Sequence, residues 1–267
     1  MRKNIAFIGV GNMGGAILDG ILASGIFAPA NVLLCDAMPE KCARFTERGC
    51  IYVPSVADAA AAADVILLAI KPQQMETVTS ALASLCSGKL VISIAAGVTL
   101  ARLCAALPGA SVVRVMPNTP LQVGEGVSAL CRAEGVSDED YALAFRIFSA
   151  SGMAVEAPES MINPVTALTS SSIAYFARFI GDMCTWAKEN GFSDDKETLE
   201  MVCRSAIGSA QILLKTDLDP RTLERAVTSP GGTTERAMAV FTERGLADTV
   251  SDAMDACVRR ADELSAI

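Results

Sequence analysis

The sequence contains no histidine, and this absence removes several kinds of catalysis. Ser-His-Asp and Cys-His hydrolases use an imidazole as their general base, so both are excluded. A dehydrogenase that protonates a carbonyl oxygen with an imidazolium is excluded for the same reason. Any proton that the protein moves must come from water, from the substrate, or from a lysine, tyrosine, cysteine or carboxyl group.

Paired cysteines are missing as well. The chain has 9 cysteines, an odd number, and no Cys-x-x-Cys pair. A zinc site usually needs such pairs or histidine, so we expect no metal site. Most of the cysteines lie among apolar residues, which is typical of reduced core thiols in a cytoplasmic protein.

Long apolar runs are absent, although the chain is hydrophobic. Of its 267 residues 51% are hydrophobic and only 5% are aromatic, and the mean hydropathy is +0.39. The longest apolar candidate, residues 59–70, is interrupted by Asp64, so no membrane-spanning helix is expected. The first apolar run ends at Gly9, which argues against a secretory signal. The excess apolar surface predicts an oligomer, a homodimer or larger.

The charge balance is acidic. A net charge of -8 and a pI near 4.7 argue against a nucleic-acid partner, because the phosphate backbone repels an acidic surface. The chain is long enough for one or two domains and for a sizeable core, which the composition predicts to be aliphatic and alanine-rich.

A glycine-rich turn follows the first apolar run. In "GVGNMGGAILDGIL", Gly9, Gly11 and Gly14 have G-x-G-x-x-G spacing, and apolar residues at helical period follow them. Residues 4–10 suit a buried parallel strand, and a second strand, residues 32–35, ends at Asp36. This order predicts a dinucleotide-binding unit. In such a unit the first glycine permits the turn, the second lets the pyrophosphate approach the backbone, and the third lets the helix pack on the strand.

The acid that ends the second strand bears on the choice of cofactor. An acid at this place bonds to a free ribose 2′-OH, whereas a 2′-phosphate would meet like charge. No arginine follows Asp36 directly, although Lys41 and Arg44 are nearby. We therefore expect NADPH or NADH as cofactor, with Asp36 favouring NADH.

The strand pattern recurs at residues 64–70, 90–94 and 112–115, with helical patterns at 39–48 and 73–85. This alternation predicts an α/β fold, a Rossmann-type doubly wound parallel sheet that occupies residues 1–157. The turns after these strands lie at the carboxyl edge of the sheet, where such folds bind ligands, and the small residues 95–97 suit a flat nicotinamide. The predicted cofactor contacts are Gly9, Gly11, Asn12, Met13, Gly14, Asp36, Ala69, Lys71, Pro72, Ala95, Ala96 and Asn118.

The second half of the chain, residues 158–267, shows no further strand pattern. Helical patterns cover residues 171–190, 196–214, 233–244 and 246–264. They predict an all-α domain that is rich in small residues and methionine and that dimerises.

A second glycine turn, "SPGGTT", precedes one of these helices. Gly231 and Gly232 would expose N–H groups at a helix start, which binds anions, and Thr233 and Thr234 would add hydroxyl donors. The alternative is an ordinary threonine cap, with Glu235 in the first helical turn.

Five stretches carry a resemblance to a known family. "FIGVGNMGGAI", "AIKPQ", "SIAAGVTL", "RVMPNTP" and "SPGGTT" occur in the order and at about the spacing of pyrroline-5-carboxylate reductases. The resemblance covers nearly the whole chain. It implies the last step of proline biosynthesis, the NAD(P)H-dependent reduction of the C=N bond of 1-pyrroline-5-carboxylate to L-proline. It also implies a helical dimerisation domain, dimers that can assemble further, and an active site between domains at the dimer interface.

The resemblance also assigns the second glycine turn. It implies that this turn holds the substrate's carboxylate and that Thr234, the catalytic candidate, contacts the ring nitrogen. An iminium accepts hydride readily and needs orientation more than a strong general acid, which a chain without histidine can provide. The substrate-binding candidates are Ser229, Gly231, Gly232, Thr233 and Thr234.

Some positions depart from the family's pattern and leave other functions open. In "SSSIAY", Ser170 and Ile173 replace the usual glycine and proline, and "LERAV" brings Glu224 and Arg225 close to the substrate turn. A reductase of a related cyclic imine is therefore an alternative. A β-hydroxyacid dehydrogenase, with Lys188 as its acid, and a non-catalytic dinucleotide-binding regulator are two more.

Overall fold

The computed structural model describes residues 3–265, which fall into two compact units. The first unit contains residues 3–170 and 258–265, and the second contains residues 171–257. The last strand ends at Glu156, one residue before the domain boundary that the sequence predicted, and the first unit extends to residue 170. The compact first unit continues past it because Ala157 and Ile162 pack with Ala129 and Cys131.

In the described residues the first unit holds a sheet of 8 strands. The strands are β1 Ile5–Ile8, β2 Val32–Cys35, β3 Ile51–Tyr52, β4 Val65–Leu68, β5 Leu90–Ser93, β6 Ser111–Pro117, β7 Gly126–Arg132 and β8 Gly152–Glu156. Their order across the sheet is β3-β2-β1-β4-β5-β6-β7-β8. The strands predicted from the sequence correspond to β1, β2, β4, β5 and β6, so the doubly wound α/β prediction is confirmed.

One strand departs from the expected parallel arrangement. β7 runs antiparallel to β6, with Val115 opposite Leu130, and β8 then runs parallel to β7. The reason is the connection: β6 and β7 are joined by a short turn centred on Thr119–Val123, and a connection this short cannot carry the crossover that a parallel pair requires.

The helices of the first unit cover both faces of the sheet. They are α1 Asn12–Ser24, α2 Ala43–Thr46, α3 Val56–Ala62, α4 Met75–Leu82, α5 Leu100–Ala106, α6 Asp138–Ser149 and α7 Ile162–Val165. Alternate residues of β1 point to opposite faces. Phe7 packs in a cluster with Ile17 of α1 and Phe148 of α6. Ala6 packs in a second cluster with residues of α3, α4 and α5.

Helices and the turns between them make up the second unit. A π-helical turn, Thr166–Ser171, leads into α8 Ser172–Glu189, α9 Asp195–Lys215, α10 Pro220–Ala226, α11 Thr233–Glu243 and α12 Leu246–Ser265. Residues 171–257, all of which the structure describes, contain no strand, as the sequence predicted. Across the described part of the chain, no helix combines the length and apolar character needed to cross a membrane.

Candidate functional site

A cleft of about 680 Å³ opens at the carboxyl edge of the parallel strands. The ends of β1, β2, β4, β5 and β6 and the start of α1 surround it, as expected for a doubly wound sheet. Of the predicted cofactor contacts, all except Asn118 line this cleft: Gly9, Gly11, Asn12, Met13, Gly14, Asp36, Ala69, Lys71, Pro72, Ala95 and Ala96.

The first glycine turn connects β1 to α1 in a conformation that side chains rarely allow. Gly9 has φ +98°, and a Cβ at this position would collide with the carbonyl oxygen of Ala69. The Gly9 N–H donates to the Cys35 carbonyl at 2.7 Å, which fixes the turn against the end of β2. Glycine is therefore required at position 9 by both backbone conformation and close packing.

Gly11 serves a different purpose. It is the N-cap residue of α1, no side chain caps this helix start, and a Cβ on Gly11 would meet no protein atom within 4 Å. Packing within the protein therefore does not explain the missing side chain, whereas a ligand approaching the backbone would. The first N–H groups of α1 lack intrahelical partners, so this edge of the cleft suits a pyrophosphate.

Asp36 lies at the end of β2 and is engaged with the backbone. Its Oδ2 accepts the Val10 N–H at 2.7 Å, its Oδ1 accepts the Met38 N–H at 2.9 Å, and Lys41 Nζ lies 3.7 Å from Oδ1. The side chain retains 10% exposure, on the lining of the cleft. Asp36 thus braces the glycine turn, and each carboxylate oxygen keeps a lone pair for a further donor.

Two further turns complete the cleft. Lys71 and Pro72 follow β4, where the Lys71 N–H donates to Gln74 Oε1 at 3.3 Å. Ala95 and Ala96 follow β5 and bring only small side chains to the lining of the cleft. The sequence predicted that the nicotinamide lies on these small residues, and this stays a prediction.

Asn118 lies apart from the other predicted contacts. Its side chain is only 4% exposed and does not line the cleft. Its Nδ2 donates to the Thr169 carbonyl at 2.9 Å, and its Oδ1 accepts the Val127 N–H at 2.8 Å. The amide ties the end of β6 to β7 and to the π-helical turn, so its geometry favours a positioning role over direct contact with the cofactor.

The thiols beside the cleft are shielded. Burial raises the pKa of Cys35, which lines the cleft, and Asp36 raises it further. Burial raises the pKa of Cys42 to about 11, and the charge of Asp36 adds to this effect. Neither thiol is therefore an activated nucleophile near neutral pH.

The second glycine turn starts α11 in the helical unit. Gly231 has φ +72°, and its N–H donates to Glu235 Oε2 at 2.8 Å. The N-cap residue is Gly232, and no side chain caps the helix, so the structure does not show the threonine cap that the sequence left open. Thr233 and Thr234 are the first residues of α11. Their backbone N–H groups have no acceptor within the helix.

Comparison with known proteins identifies the family. Residues 159–264 match the family model for pyrroline-5-carboxylate reductase dimerisation, and residues 4–97 match the model described as NADP oxidoreductase coenzyme F420-dependent. The pyrroline-5-carboxylate reductase of Escherichia coli (strain K12) is 38% identical over 268 residues, which cover 99% of both chains. The chain belongs to the pyrroline-5-carboxylate reductase family.

Other family members extend the match. The pyrroline-5-carboxylate reductase of Methanosarcina acetivorans is 36% identical, with 98% of each chain covered. The structure of the Coxiella burnetii pyrroline-5-carboxylate reductase superposes with a TM-score of 0.92 at 32% identity, covering 99% of both chains. The Plasmodium falciparum pyrroline carboxylate reductase, solved with NADP bound, gives a TM-score of 0.90 at 26% identity over 98% of each chain. The resemblance seen in the sequence is confirmed, and the dimerisation match supports a homodimer.

Three of the positions that depart from the family's pattern have local hydrogen-bond partners. Ser170 Oγ donates to the Pro117 carbonyl at 3.4 Å. On α10, Glu224 accepts from Arg221 at 3.0 Å and Arg225 donates to Thr222 Oγ1 at 2.8 Å. These two charges are therefore engaged on their own helix.

Lys188, the acid of the dehydrogenase alternative, lies in the last turn of α8. Its Nζ pairs with Asp195 at 3.1 Å, and both side chains are exposed. This is a solvated helix end, which does not support a catalytic acid.

Sequence reasoning missed several residues around the cleft. Met116 and Pro117 line it, and the motif "RVMPNTP" was the signal that could have found them. The ion pair of Arg114 and Glu159 had no such signal, because the partners are 45 positions apart.

Proposed function

We propose that this protein reduces the C=N bond of 1-pyrroline-5-carboxylate to L-proline with NADPH or NADH. The observation that carries this function is the full-length match to pyrroline-5-carboxylate reductases in a chain that has both glycine turns. When bound, the nicotinamide supplies the hydride that the imine carbon accepts.

The chain's residues hold this cofactor at the carboxyl edge of the sheet. The uncapped start of α1 binds the pyrophosphate through backbone N–H groups, and Gly11 gives it access. Ala95 and Ala96 seat the flat ring, and Asp36 bonds to the ribose through the lone pairs that the backbone leaves free. The match of residues 4–97 to an NADP oxidoreductase model supports this assignment.

The second glycine turn holds the imino acid. The substrate's carboxylate is bound by the N–H groups at the start of α11 and by the hydroxyls of Thr233 and Thr234. The Gly231 N–H donates to Glu235 Oε2 at 2.8 Å, so a substrate carboxylate would have to displace that side chain to reach it. Ser229 and Gly232 shape the turn, since the Gly232 N–H donates to the Ser229 carbonyl at 2.9 Å.

Thr234 orients the ring nitrogen and is the candidate donor of a proton to it. A protonated imine is a strong hydride acceptor, so orientation supplies most of what the reaction needs. This explains how a chain with no histidine can catalyse the step.

The protein acts as a homodimer in the cytoplasm, and its dimers can assemble further. The dimerisation match over residues 159–264 supports the dimer. The free thiols found among the described residues support a reducing compartment.

A steady-state assay tests the function directly. The protein is incubated with 1-pyrroline-5-carboxylate and either NADH or NADPH, and both cofactor oxidation and proline are measured. Stoichiometric formation of proline is expected. Turnover of another cyclic imine alone would support the related-imine alternative. Oxidation of β-hydroxyacids would instead identify a β-hydroxyacid dehydrogenase. Cofactor binding without any turnover would identify a non-catalytic regulator.

A further inference from the structure

We infer that Glu159 is a positioning residue that fixes the nicotinamide side of the cleft. The inference rests on the proposed function, since it concerns the turn that seats the cofactor ring. Glu159 does not line the cleft, and it acts through the residues to which it bonds.

One carboxylate oxygen of Glu159 holds two partners. Oε1 accepts the Leu100 N–H at 2.6 Å and the Arg114 Nη1–H at 2.8 Å. Arg114 is only 4% exposed, so its charge depends on this partner. Glu159 itself is about one-third exposed, so the pair lies at the boundary of the core.

Each of these two partners lies close in sequence to a different part of the cleft lining. Leu100 is the first residue of α5, and the turn before it carries Ala95 and Ala96. Arg114 lies on β6, two residues before Met116, which lines the same cleft. Glu159 therefore ties the turn after β5 to the end of β6 through a single atom.

The charge of Glu159 matters as much as its shape. A glutamine could still accept the Leu100 N–H, but it would leave the buried guanidinium of Arg114 without its counter-charge. Removing one partner of a buried pair is costly, because the remaining charge is uncompensated. The structure would relax to hydrate Arg114, and because the same side chain also holds the Leu100 N–H, the start of α5 and the turn before it would shift with that side chain.

The experiment compares Glu159→Gln and Glu159→Asp with the full-length wild-type protein. Cofactor affinity is measured by NADH and NADPH fluorescence titration, and kcat, KM for each substrate and the melting temperature are measured in parallel. Asp138→Asn is the matched control, because the Arg132–Asp138 pair at 2.6 Å lies away from the cleft.

Glu159→Gln is expected to weaken cofactor binding and to lower kcat/KM. The decrease is on the order of 10²-fold if the turn that carries Ala95 and Ala96 moves by about 1 Å. Glu159→Asp keeps the charge but is one methylene shorter. It is expected to preserve the melting temperature and still to raise the Kd of the cofactor. Asp138→Asn is expected to leave the Kd and kcat/KM unchanged.

The inference would be overturned if Glu159→Gln kept the wild-type Kd and kcat/KM but had a lowered melting temperature. Glu159 would then only stabilise the fold. If Glu159→Gln does not fold, an unchanged Kd and kcat/KM in Glu159→Asp would overturn it as well. A wild-type protein that binds neither cofactor would instead refute the proposed function.

Discussion

In the first unit every residue of β1, β2, β4 and β5 is buried, whereas Ser172, Ala187 and Thr198 are the only buried residues between positions 171 and 257. The sheet is covered on both faces by helices of the same chain. The helical unit instead exposes large apolar side chains, among them Phe176, Phe179, Met183, Trp186, Phe192, Ile207, Leu214 and Val240.

This difference shows where each unit obtains its stability. The first unit buries its apolar surface within one chain, while the second exposes an apolar surface of the kind that marks an interface with another protein chain. An apolar groove of about 800 Å³, lined by Phe179, Trp186 and Phe241 among others, belongs to this surface. The exposed apolar side chains, from which an oligomer is expected, therefore lie mainly in the unit that matches the dimerisation model.

The largest expected effect comes from placing a charge on this apolar surface. Trp186 is the only tryptophan of the sequence and is 62% exposed in the single chain. Trp186→Asp is expected to abolish the dimer, and with it activity, because a buried unpaired carboxylate is costly. Sedimentation at micromolar concentration should show a species of 27.8 kDa, the mass of one chain, for the variant only.

Lys188→Ala, on the same helix at a solvated position, is the control and should remain dimeric. A stable monomer formed by the unmodified protein would contradict the claim that the apolar surface of the helical unit forms a dimer interface. A dimeric Trp186→Asp variant with full activity would contradict it as well.

The next effect concerns the second glycine turn. Thr234→Ala is expected to lower kcat on the order of 10²-fold while leaving cofactor binding intact, since a positioned proton donor is lost. The melting temperature should change little, because Gly232 rather than a threonine is the N-cap of α11.

Thr242→Ala provides a matched loss of a hydroxyl on the same helix, where Thr242 Oγ1 donates to the Met238 carbonyl at 3.0 Å. It should leave kcat unchanged. Reduced stability of Thr234→Ala with unchanged kcat and KM would contradict a catalytic role for this residue.

A smaller effect is expected at the first glycine turn. Asp36→Ser should shift preference from NADH toward NADPH by about tenfold, since removing the carboxylate relieves its repulsion of a 2′-phosphate beside Lys41. Both cofactors should also bind less tightly, because Asp36 accepts the backbone N–H groups of Val10 and Met38. Competition titrations with both cofactors measure the ratio.

Asp19→Asn removes a charge on α1 that pairs with Arg44 and Arg48, and it should not alter the preference. If the unmodified protein already favours NADPH about tenfold or more, the interpretation of Asp36 is wrong.

The smallest effect is on thiol chemistry. Burial raises the pKa of Cys42 and of Cys131 to about 11, so at pH 8 only about one molecule in a thousand carries either thiolate. Labelling of these cysteines, followed by mass spectrometry, should be negligible at pH 8 and should increase as the pH rises toward 11. Cys104 is exposed, and Cys184 and Cys203 of the helical unit are half-buried, so these three should react first. Rapid labelling of Cys42 in the folded protein at pH 8 would contradict the burial of the first unit.

Much of the first unit could be predicted because its signals are local. Buried parallel strands are short apolar runs, and the glycine turn, α1 and Asp36 lie within one βαβ unit. The cleft could be assembled from strand ends alone, because all of them lie at one edge of the sheet.

The remaining features depend on partners that are distant in sequence. The short edge strand β3 and the reversed direction of β7 depend on which strand each one pairs with. The burial of Asn118 follows from its bond to Thr169, and the pair of Arg114 with Glu159 also spans a long loop. No local pattern marks the π-helical turn, because "TALTSS" is equally compatible with an ordinary helix.

The end of α12 has a consequence for the order of synthesis. Residues 258–265 belong to the first unit, where Asn163 Nδ2 donates to Asp262 at 2.8 Å and Leu264 packs beside Gly97. The ribosome therefore makes the whole helical unit before it delivers the segment that completes the first one. At roughly 5–20 residues per second, this delay lasts roughly 4–20 s. During that time the turn at Gly97 lacks its α12 neighbour, which makes this side of the cofactor cleft the last part of the first unit to mature in the cell.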